Sequence, residues 1–189
     1  MSTKYLGALI FIILIAFNLE GWAQSALPEA EVGEVVITAT KTETALKDVA
    51  SSVTIIKEED IDKKKAKTVA EVLRDVPGID VVQTGGPGGL TSVFIRGGNS
   101  SHTLVLIDGV QVNSPTAGLF DFANLTTDNI ERIEIVRGAQ STLYGSDAIS
   151  GVINIITKRG KGAPVINLSV EAGSFRTLRE SIGIAGTTR

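Results

Sequence analysis

The side chains that could carry chemistry in this 189-residue sequence are few. It has no cysteine and one histidine, His102, so zinc sites and cysteine–histidine nucleophile pairs lack their parts. The stretch GGPGGL is not followed by the GK[ST] of a phosphate-binding loop, and YGSDAISG lacks the spacing of a nucleophile elbow. We therefore predict that the protein is not an enzyme, and we assign it no catalytic residue, metal or cofactor.

Two arginines stand in similar surroundings and could instead bind carboxylates. Arg96 ends VFIRG and Arg137 ends EIVRG, so each closes an apolar strand and precedes a glycine. A buried guanidinium needs carboxylate partners and can pair with them through two parallel hydrogen bonds. A strand end that reaches solvent would leave the same group hydrated. The residues alone leave both interpretations open.

A third candidate is the segment EVVITA, which is rich in β-branched residues and prefers an extended conformation. It lies within residues 26–45, which we predict to be a flexible leader because the part from Ala26 to Val32 is polar and contains a proline. Such a strand either packs as the first strand of a domain or adds to the sheet edge of another protein. The residues concerned are Glu34, Val35, Val36, Ile37, Thr38 and Ala39.

The elements that position these residues follow a predicted signal peptide over residues 1–25. Lys4 precedes an apolar run from Leu6 to Leu19, and small residues suited to cleavage follow at Ala23 and Ser25. An uncleaved anchor is the alternative. The exported chain would be held together by its core alone, because it has no cysteine to form disulfides.

The remaining roughly 165 residues are enough for one domain. A formal net charge of −3, with acids and bases interspersed, gives no indication of nucleic-acid binding. Thr68 is a predicted N-cap, Asp108-Gly109 predicts a hairpin, and a helical turn is expected near Tyr144. We predict an α+β fold with a short-stranded mixed sheet and two or three short helices. The predicted strands cover residues 51–57, 79–84, 92–97, 104–112, 130–138 and 151–158.

Residues 161–189 change to a strict alternation of apolar and polar side chains. Ile166, Leu168 and Val170 share one face, and Ile182 and Ile184 share another. This pattern is typical of transmembrane β-strands, although a one-sided soluble sheet gives it too. We predict that these residues are the first strands of a barrel, cut short by the end of the chain.

Four stretches together carry a resemblance: GEVVITATKT, VAEVLRDVPGIDV, SVFIRGGNSSHTLVLIDGVQVN and IERIEIVRGAQSTLYGSDAISGVINIITK. From Gly33 to Ser174 the chain resembles the plug domain of TonB-dependent outer-membrane receptors. The resemblance implies a plug over residues 46–160 with a four-stranded sheet, inside a 22-stranded barrel in the cell outer membrane. It also implies import of a scarce, large nutrient, driven by TonB with ExbB and ExbD. A periplasmic interaction module without a pore is the alternative, and the downstream reading frame would decide.

The resemblance also implies roles for the candidate residues. EVVITA resembles the TonB box, which pairs with TonB as an added strand. About six backbone hydrogen bonds at ~1 kcal/mol each would give a Kd of roughly tens of micromolar. Arg96 and Arg137 would face glutamates of the barrel wall, so their replacement should matter little without a barrel.

Two loops, Gln83 to Ser92 and Asn113 to Leu125, would contact the ligand, for which the resemblance favours the corrinoid cobalamin. A metal chelate such as a ferric siderophore or haem is the alternative. The residues implied to bind the ligand are Thr84, Leu90, Ser92, Asn99, Ala117 and Gly118.

Overall fold

The computed structural model describes residues 35, 36, 38, 41, 42, 44, 45, 51–160 and 162–187. The predicted signal peptide lies outside these residues, as do Glu34, Ile37 and Ala39 of the EVVITA segment. In chain order the strands and helices are β1 Val35–Val36, β2 Thr44–Ala45, β3 Ser52–Lys57, α1 Glu58–Lys64, α2 Val69–Leu73, β4 Ile79–Gln83, β5 Thr91–Ile95, β6 Thr103–Ile107, β7 Val110–Gln111, β8 Ile130–Arg137, α3 Ser141–Tyr144, β9 Gly151–Thr157, β10 Val165–Gly173 and β11 Thr177–Ala185.

The largest sheet has five strands in the order β3-β8-β9-β6-β7. All its neighbouring strands are antiparallel except β6 and β9, which run parallel. The mixed sheet and short helices confirm the predicted α+β fold. The family resemblance implied four strands, and the fifth is β7, a two-residue strand that closes the predicted hairpin.

The side chains of this sheet alternate between two faces, which differ in the size of the apolar cluster packed on them. On the first face, Ile133, Ile135, Ile153 and Ile155 pack with α1, α2 and the β4–β5 hairpin to form the main core. On the second face the buried apolar cluster is much smaller, and it consists of Leu104, Leu106, Ala148 and Val152, with Tyr144 packed against it. The second face therefore leaves room for polar groups such as Glu134 and Asn154, which are both buried.

Local sequence explains where the helices begin and end. The side chain of Thr68 accepts a hydrogen bond from the backbone of Glu71 and caps α2, as predicted. Helix α1 has acids in its first turn and lysines in its last, which suits the helix dipole, and it ends at Lys65 in a left-handed conformation. In the part of the chain that the structure describes, no helix is both long and apolar enough to cross a membrane.

The glycine-rich stretch is a hairpin connection and not a separate loop, which corrects the predicted bounds. Its first residue, Gln83, ends β4, and Thr91 and Ser92 begin β5, with Gln83 opposite Thr91. Only residues 84–90 form the turn. The alternating side chains at both ends pair across the two strands, and this pairing outweighs the low strand propensity of the nearby glycines.

The hairpin of β10 and β11 has the amphipathic faces predicted from its alternation. Ile166 lies opposite Ile184 and Leu168 lies opposite Ile182, and all four are at least 66% exposed. On the other face, Glu171 binds Lys67 and Arg179 binds Asp128, and these two partners belong to the rest of the domain. The polar face is therefore turned inward and the apolar face outward.

Candidate functional site

Arg137 is integrated into the domain at the end of β8. Its guanidinium donates hydrogen bonds to Thr54 Oγ1 (2.7 Å), to the carbonyl oxygen of Pro77 (3.2 Å) and to Ser52 Oγ (3.3 Å). These contacts join β8 to β3 and to the turn after α2. Burial lowers the pKa of Arg137, and the nearby positive charge of Arg96 lowers it further.

Arg96 lies beside Arg137 but is held differently. It follows β5 with a φ of 50°, and its backbone N–H donates to the carbonyl oxygen of Gly78 (2.9 Å). The two arginine side chains come together over Gly78, where an added Cβ would lie 3.7 Å from Arg96 and 3.8 Å from Arg137. Within residues 51–160 and 162–187, neither guanidinium forms a salt bridge. The structure thus brings both predicted arginines to one place without a carboxylate from this part of the domain.

The described residues of the EVVITA segment are held against the domain, which corrects the expectation of a flexible leader at these positions. Val35 and Val36 pair with Thr44 and Ala45, and both Val36 and Thr38 are completely buried. The backbone N–H and the hydroxyl of Thr38 both donate to Oε2 of Glu134, at 2.9 and 2.7 Å. This local arrangement matches the alternative of a first strand packed in the domain.

Glu134 is the centre of this contact, and sequence analysis missed it. Its side chain is fully buried, and its second oxygen accepts a hydrogen bond from Nε of Arg132 (2.9 Å). Tyr144 donates its hydroxyl to the carbonyl oxygen of Thr38 (2.9 Å), and burial and the charge of Glu134 both raise the pKa of Tyr144. Lys41 covers the Tyr144 ring at 4.6 Å. The sequence signal that could have found Glu134 is its place between apolar residues in the strand segment IEIV, where a charged side chain needs a partner.

The predicted ligand residues fall into two groups along β5. At its start, the backbone N–H of Thr84 donates to the carbonyl oxygen of Leu90 (2.9 Å), which closes the glycine-rich turn. Leu90 is 45% exposed, and Ser92 lies in β5 opposite Val82. This group can offer a ligand one apolar side chain and the backbone of several glycines.

Asn99 and Gly118 form the second group, past the end of β5. Asn99 accepts a hydrogen bond from the backbone of Ser101 (3.2 Å), and Gly118 approaches Ser101 so closely that an added Cβ would lie 3.2 Å from its Cβ. Ala117, beside Gly118, is exposed. The buried side chain of Asn113 positions this loop by donating to the carbonyl oxygens of Gly118 (2.9 Å) and Thr103 (3.0 Å). The sequence predicts that Asn113 begins this loop, but its anchoring role was not predicted.

The loop from Asn113 to Leu125 connects the two groups of predicted ligand residues. Asp121 accepts a hydrogen bond from the backbone N–H of Thr91 (2.9 Å), and Phe122 donates its backbone N–H to the carbonyl oxygen of Thr91 (3.0 Å). Phe122 is completely buried and packs edge-to-face on Phe120. Residues 113–125 therefore run alongside β5 and join its two ends in one surface.

The family comparison agrees with this architecture. The model described as "TonB-dependent Receptor Plug Domain" matches residues 45–152, more than half of the chain. The chain belongs to this plug family. The resemblance to the plug domain that the sequence motifs indicate is therefore confirmed.

Individual relatives extend the comparison. The plug is 44% identical over 149 residues to the vitamin B12 transporter BtuB of Photobacterium profundum, a match that covers 79% of this chain and 24% of the transporter. It superposes on the ferripyoverdine receptor of the outer membrane of Pseudomonas aeruginosa with a TM-score of 0.71 at 20% identity, covering 82% of this chain and 20% of that one. On the ferric enterobactin receptor PfeA of the same species the TM-score is 0.59 at 30% identity, covering 74% and 23%.

These relatives are transporters and receptors and not enzymes. The plug spans about a quarter of the length of the curated relative that it matches. The roles of the individual site residues stay predictions, because family membership does not test them.

Proposed function

We propose that this plug gates an outer-membrane receptor that imports cobalamin with energy supplied through TonB, ExbB and ExbD. The observation that carries the proposal is the 44% identity to a vitamin B12 transporter over 149 residues. In this proposal the N-terminal signal peptide directs export, and a surrounding barrel in the outer membrane encloses the plug.

The composition of the two candidate loops supports a ligand of low charge. Neither the hairpin turn of residues 84–90 nor the loop from Asn113 to Leu125 contains a lysine or an arginine. Glycine lets the backbone come close to a large ligand, and exposed Leu90 offers apolar contact. A neutral or weakly charged corrinoid suits this floor better than an anionic metal chelate would.

The arginine pair supports the presence of a surrounding wall. Two guanidinium groups that converge without a salt bridge to residues 51–160 or 162–187 repel each other. Carboxylates on an enclosing barrel would remove this repulsion and hold the plug in position. Arg96 and Arg137 are therefore proposed to lock plug to barrel.

A ferric-siderophore receptor is the second candidate, and a specific likeness favours it. The solved ferric enterobactin receptor, determined in complex with enterobactin, is 30% identical to this chain. The fold would serve either ligand, so ligand choice depends on the loops and on the barrel that encloses them.

Measuring the affinity of the full-length receptor for cobalamin tests the proposal. We expect Leu90→Glu to lower cobalamin affinity by roughly tenfold or more, because a carboxylate would be desolvated against the ligand. The matched control is Val110→Glu, which places the same charge at a 67% exposed position beside the β6–β7 turn. A receptor that binds a ferric siderophore tightly and ignores cobalamin would overturn the ligand assignment and leave the plug assignment intact.

A further inference from the structure

We infer that Lys67 and Asp128 form a docking surface for the β10–β11 hairpin, and that the order of charges on the two sides allows the hairpin to dock in one register only. In a full-length receptor this surface and the arginine pair would attach opposite ends of β8 to the barrel. The second statement rests on the proposed function, since it takes the hairpin as the start of that barrel. The first depends only on contacts among the described residues.

Two short segments of the domain hold Lys67 and Asp128 at neighbouring positions. Thr68 forms a single antiparallel bridge with Thr126. The backbone N–H of Thr127 donates to the carbonyl oxygen of Lys67 (3.2 Å). These backbone contacts do not depend on the charged side chains. The domain therefore presents one positive and one negative charge from a fixed base.

The hairpin presents the complementary pair of charges. Glu171 and Arg179 lie opposite each other in the register of β10 and β11. Glu171 binds Lys67, and Arg179 binds Asp128. These four residues form a charge quartet, in which the sign alternates around the contact. A single exposed ion pair contributes little to stability, but several charges in one network contribute more.

Charge and not apolar packing carries this contact. Within the part of the chain that the structure describes, neither buried apolar cluster includes a residue of the hairpin. A cavity of about 520 Å³ lies at the junction, so the hairpin is not closely packed on the domain there. Lys158 also lines this cavity, but it pairs with Glu58 (2.6 Å) and does not compete for Glu171.

The order of the charges excludes the neighbouring registers. A slip by two residues, about 7 Å, keeps the polar face toward the domain but replaces the charged pair by an uncharged one. Docking with β10 and β11 exchanged would set Arg179 against Lys67, and such like-charge contacts disfavour a wrong arrangement. The observed register pairs all four charges. The uncharged facing pairs on either side are Ser169–Ser181 and Gly173–Thr177.

The docking surface and the arginine pair lie at opposite ends of β8. Asp128 lies just before this strand, and Arg137 is its last residue. A strand of this length spans about 23 Å, so the two attachment points would be about that far apart. One attachment point leaves a body free to turn about it, whereas two fix its orientation. Together they would determine how the plug sits in the barrel.

Exchanging the two hairpin charges tests the docking in this chain. The hairpin exchange, Glu171→Arg with Arg179→Glu, keeps the facing acid–base pair and the net charge of the chain. It sets like charges against Lys67 and Asp128. The hairpin should therefore leave the observed register.

A distance between two spin labels measures the position of the hairpin. The chain has no cysteine, so Glu59→Cys on α1 and Leu168→Cys on the hairpin, both exposed, take one label each. Pulsed electron paramagnetic resonance of the chain in detergent should give one narrow distance distribution. After the hairpin exchange we expect it to broaden or to shift by about 7 Å.

Exchanging the charges of the domain as well should restore the original distance. This fourfold variant adds Lys67→Glu and Asp128→Lys to the hairpin exchange, so every charge again faces an opposite one. The control is Lys63→Glu, which reverses a 76% exposed charge that pairs with Asp60 in its own helix, and the distance should stay unchanged.

If the hairpin exchange abolishes the far-UV circular dichroism, the neutral variant Glu171→Gln with Arg179→Gln decides. It removes the attraction without adding repulsion, and the distribution should broaden. An unchanged distance in the folded exchanged or neutral chain would overturn the docking surface. A folded fourfold variant that does not regain the original distance would overturn it too.

Protease sensitivity of the plug in the full-length receptor tests the two-point attachment. The hairpin exchange should raise the cleavage rate several-fold. Combined with Arg96→Ala it should raise the rate by more than the product of the two separate factors, because both ends of β8 would be free. An unchanged rate, or a combined effect equal to the product, would reject the two-point attachment and leave the docking surface intact. Neither readout uses the ligand, so a failure of the cobalamin assignment would not alter them.

Discussion

Arg96 has a backbone conformation that glycine adopts more easily. With φ at 50° it lies in the left-handed region, which costs a non-glycine residue about 1 kcal/mol. Its exposed side chain approaches Arg137, which has the same charge. Nothing within residues 51–160 and 162–187 compensates for this repulsion through a salt bridge, so the arrangement fits a residue whose partner lies on the proposed barrel.

The two arginines should differ when the chain is studied alone. The family resemblance implies that both matter little without a barrel, but Arg137 makes three hydrogen bonds inside the plug. We expect Arg137→Ala to lower the free energy of unfolding by about 1–2 kcal/mol. Arg96→Ala should change it by less than about 0.5 kcal/mol, as is usual for an exposed side chain. Urea unfolding followed by circular dichroism measures both.

In the full-length receptor, where a barrel would surround the plug, we expect both arginine substitutions to destabilise the plug. There, each substitution would leave a wall carboxylate unpaired at a cost of about 3 kcal/mol or more, and the plug should become more sensitive to protease. Equal destabilisation by Arg96→Ala with and without the barrel would contradict the proposed locking role.

At the scale of elements, the β6–β7 turn is also an attachment point for β9. Asp108 and Gly109 have φ values of 50° and 82°, as expected for a two-residue hairpin turn. The Asp108 carboxylate accepts hydrogen bonds from the backbone N–H (2.9 Å) and the hydroxyl (2.6 Å) of Thr157. Burial alone would raise the pKa of Asp108, but these hydrogen bonds and the charge of Arg159 together outweigh it, so the net shift is downward.

This shift predicts how the turn contributes to stability at different pH values. A carboxyl whose pKa is lower in the folded state stabilises the fold above its unfolded pKa, about 3.9, and loses this contribution as the pH falls through its folded pKa. Asp108→Asn keeps a residue suited to positive φ and removes the charge. Its thermal midpoint should lie below that of the wild type at pH 7, and the difference should narrow below about pH 4.

A double-mutant cycle with Thr157→Val is the control for this effect. In the Thr157→Val background Asp108→Asn should have a much smaller effect at pH 7, because the carboxylate has lost its hydroxyl partner. A difference between wild type and Asp108→Asn that stays constant from about pH 7 to about pH 3 would contradict the assignment.

The β10–β11 hairpin, also at the scale of elements, turns its polar face toward the domain and its apolar face outward. Its polar face is tied to the domain by Lys67–Glu171 and Arg179–Asp128, and the hydrogen bond from Lys67 lowers the pKa of Glu171. Its apolar face, which includes Leu168 at 73% exposure, is turned away. In water such a face is unfavourable, and contact with lipid would make it favourable. This supports the prediction that residues 161–189 begin the membrane-spanning part of the receptor.

At the scale of the whole molecule, the proposed energy coupling would act through the segment around Ile37. We expect Ile37→Pro to abolish binding to the C-terminal domain of TonB, because proline removes a backbone donor that the added strand requires. Titration calorimetry measures the binding, and the circular dichroism of the plug should stay unchanged.

Ala30→Pro, outside EVVITA, is the matched control for this substitution and should bind TonB like the wild type. If the Ile37→Pro chain also binds as well as the wild type, EVVITA is not the segment that TonB recognises.

The sequence by itself determined the local features of this protein. Alternation and β-branched residues located the strands, and Thr68 and Asp108-Gly109 located a helix start and a turn. The ordered motifs also identify the plug family without any information on the tertiary structure. These features are legible because each depends on residues within one element or on its immediate neighbours.

Only the tertiary structure decided which distant groups meet. The parallel pairing of β6 with β9, the approach of Arg96 to Arg137, and the binding of Thr38 by Glu134 across 96 positions have no local signature. A glutamate in an apolar strand is unfavourable until a partner arrives from elsewhere in the chain to satisfy it. The strand order and the face of the sheet that the main core leaves uncovered decide which partner that is. Burial and hydrogen bonding are properties of the assembled sheet.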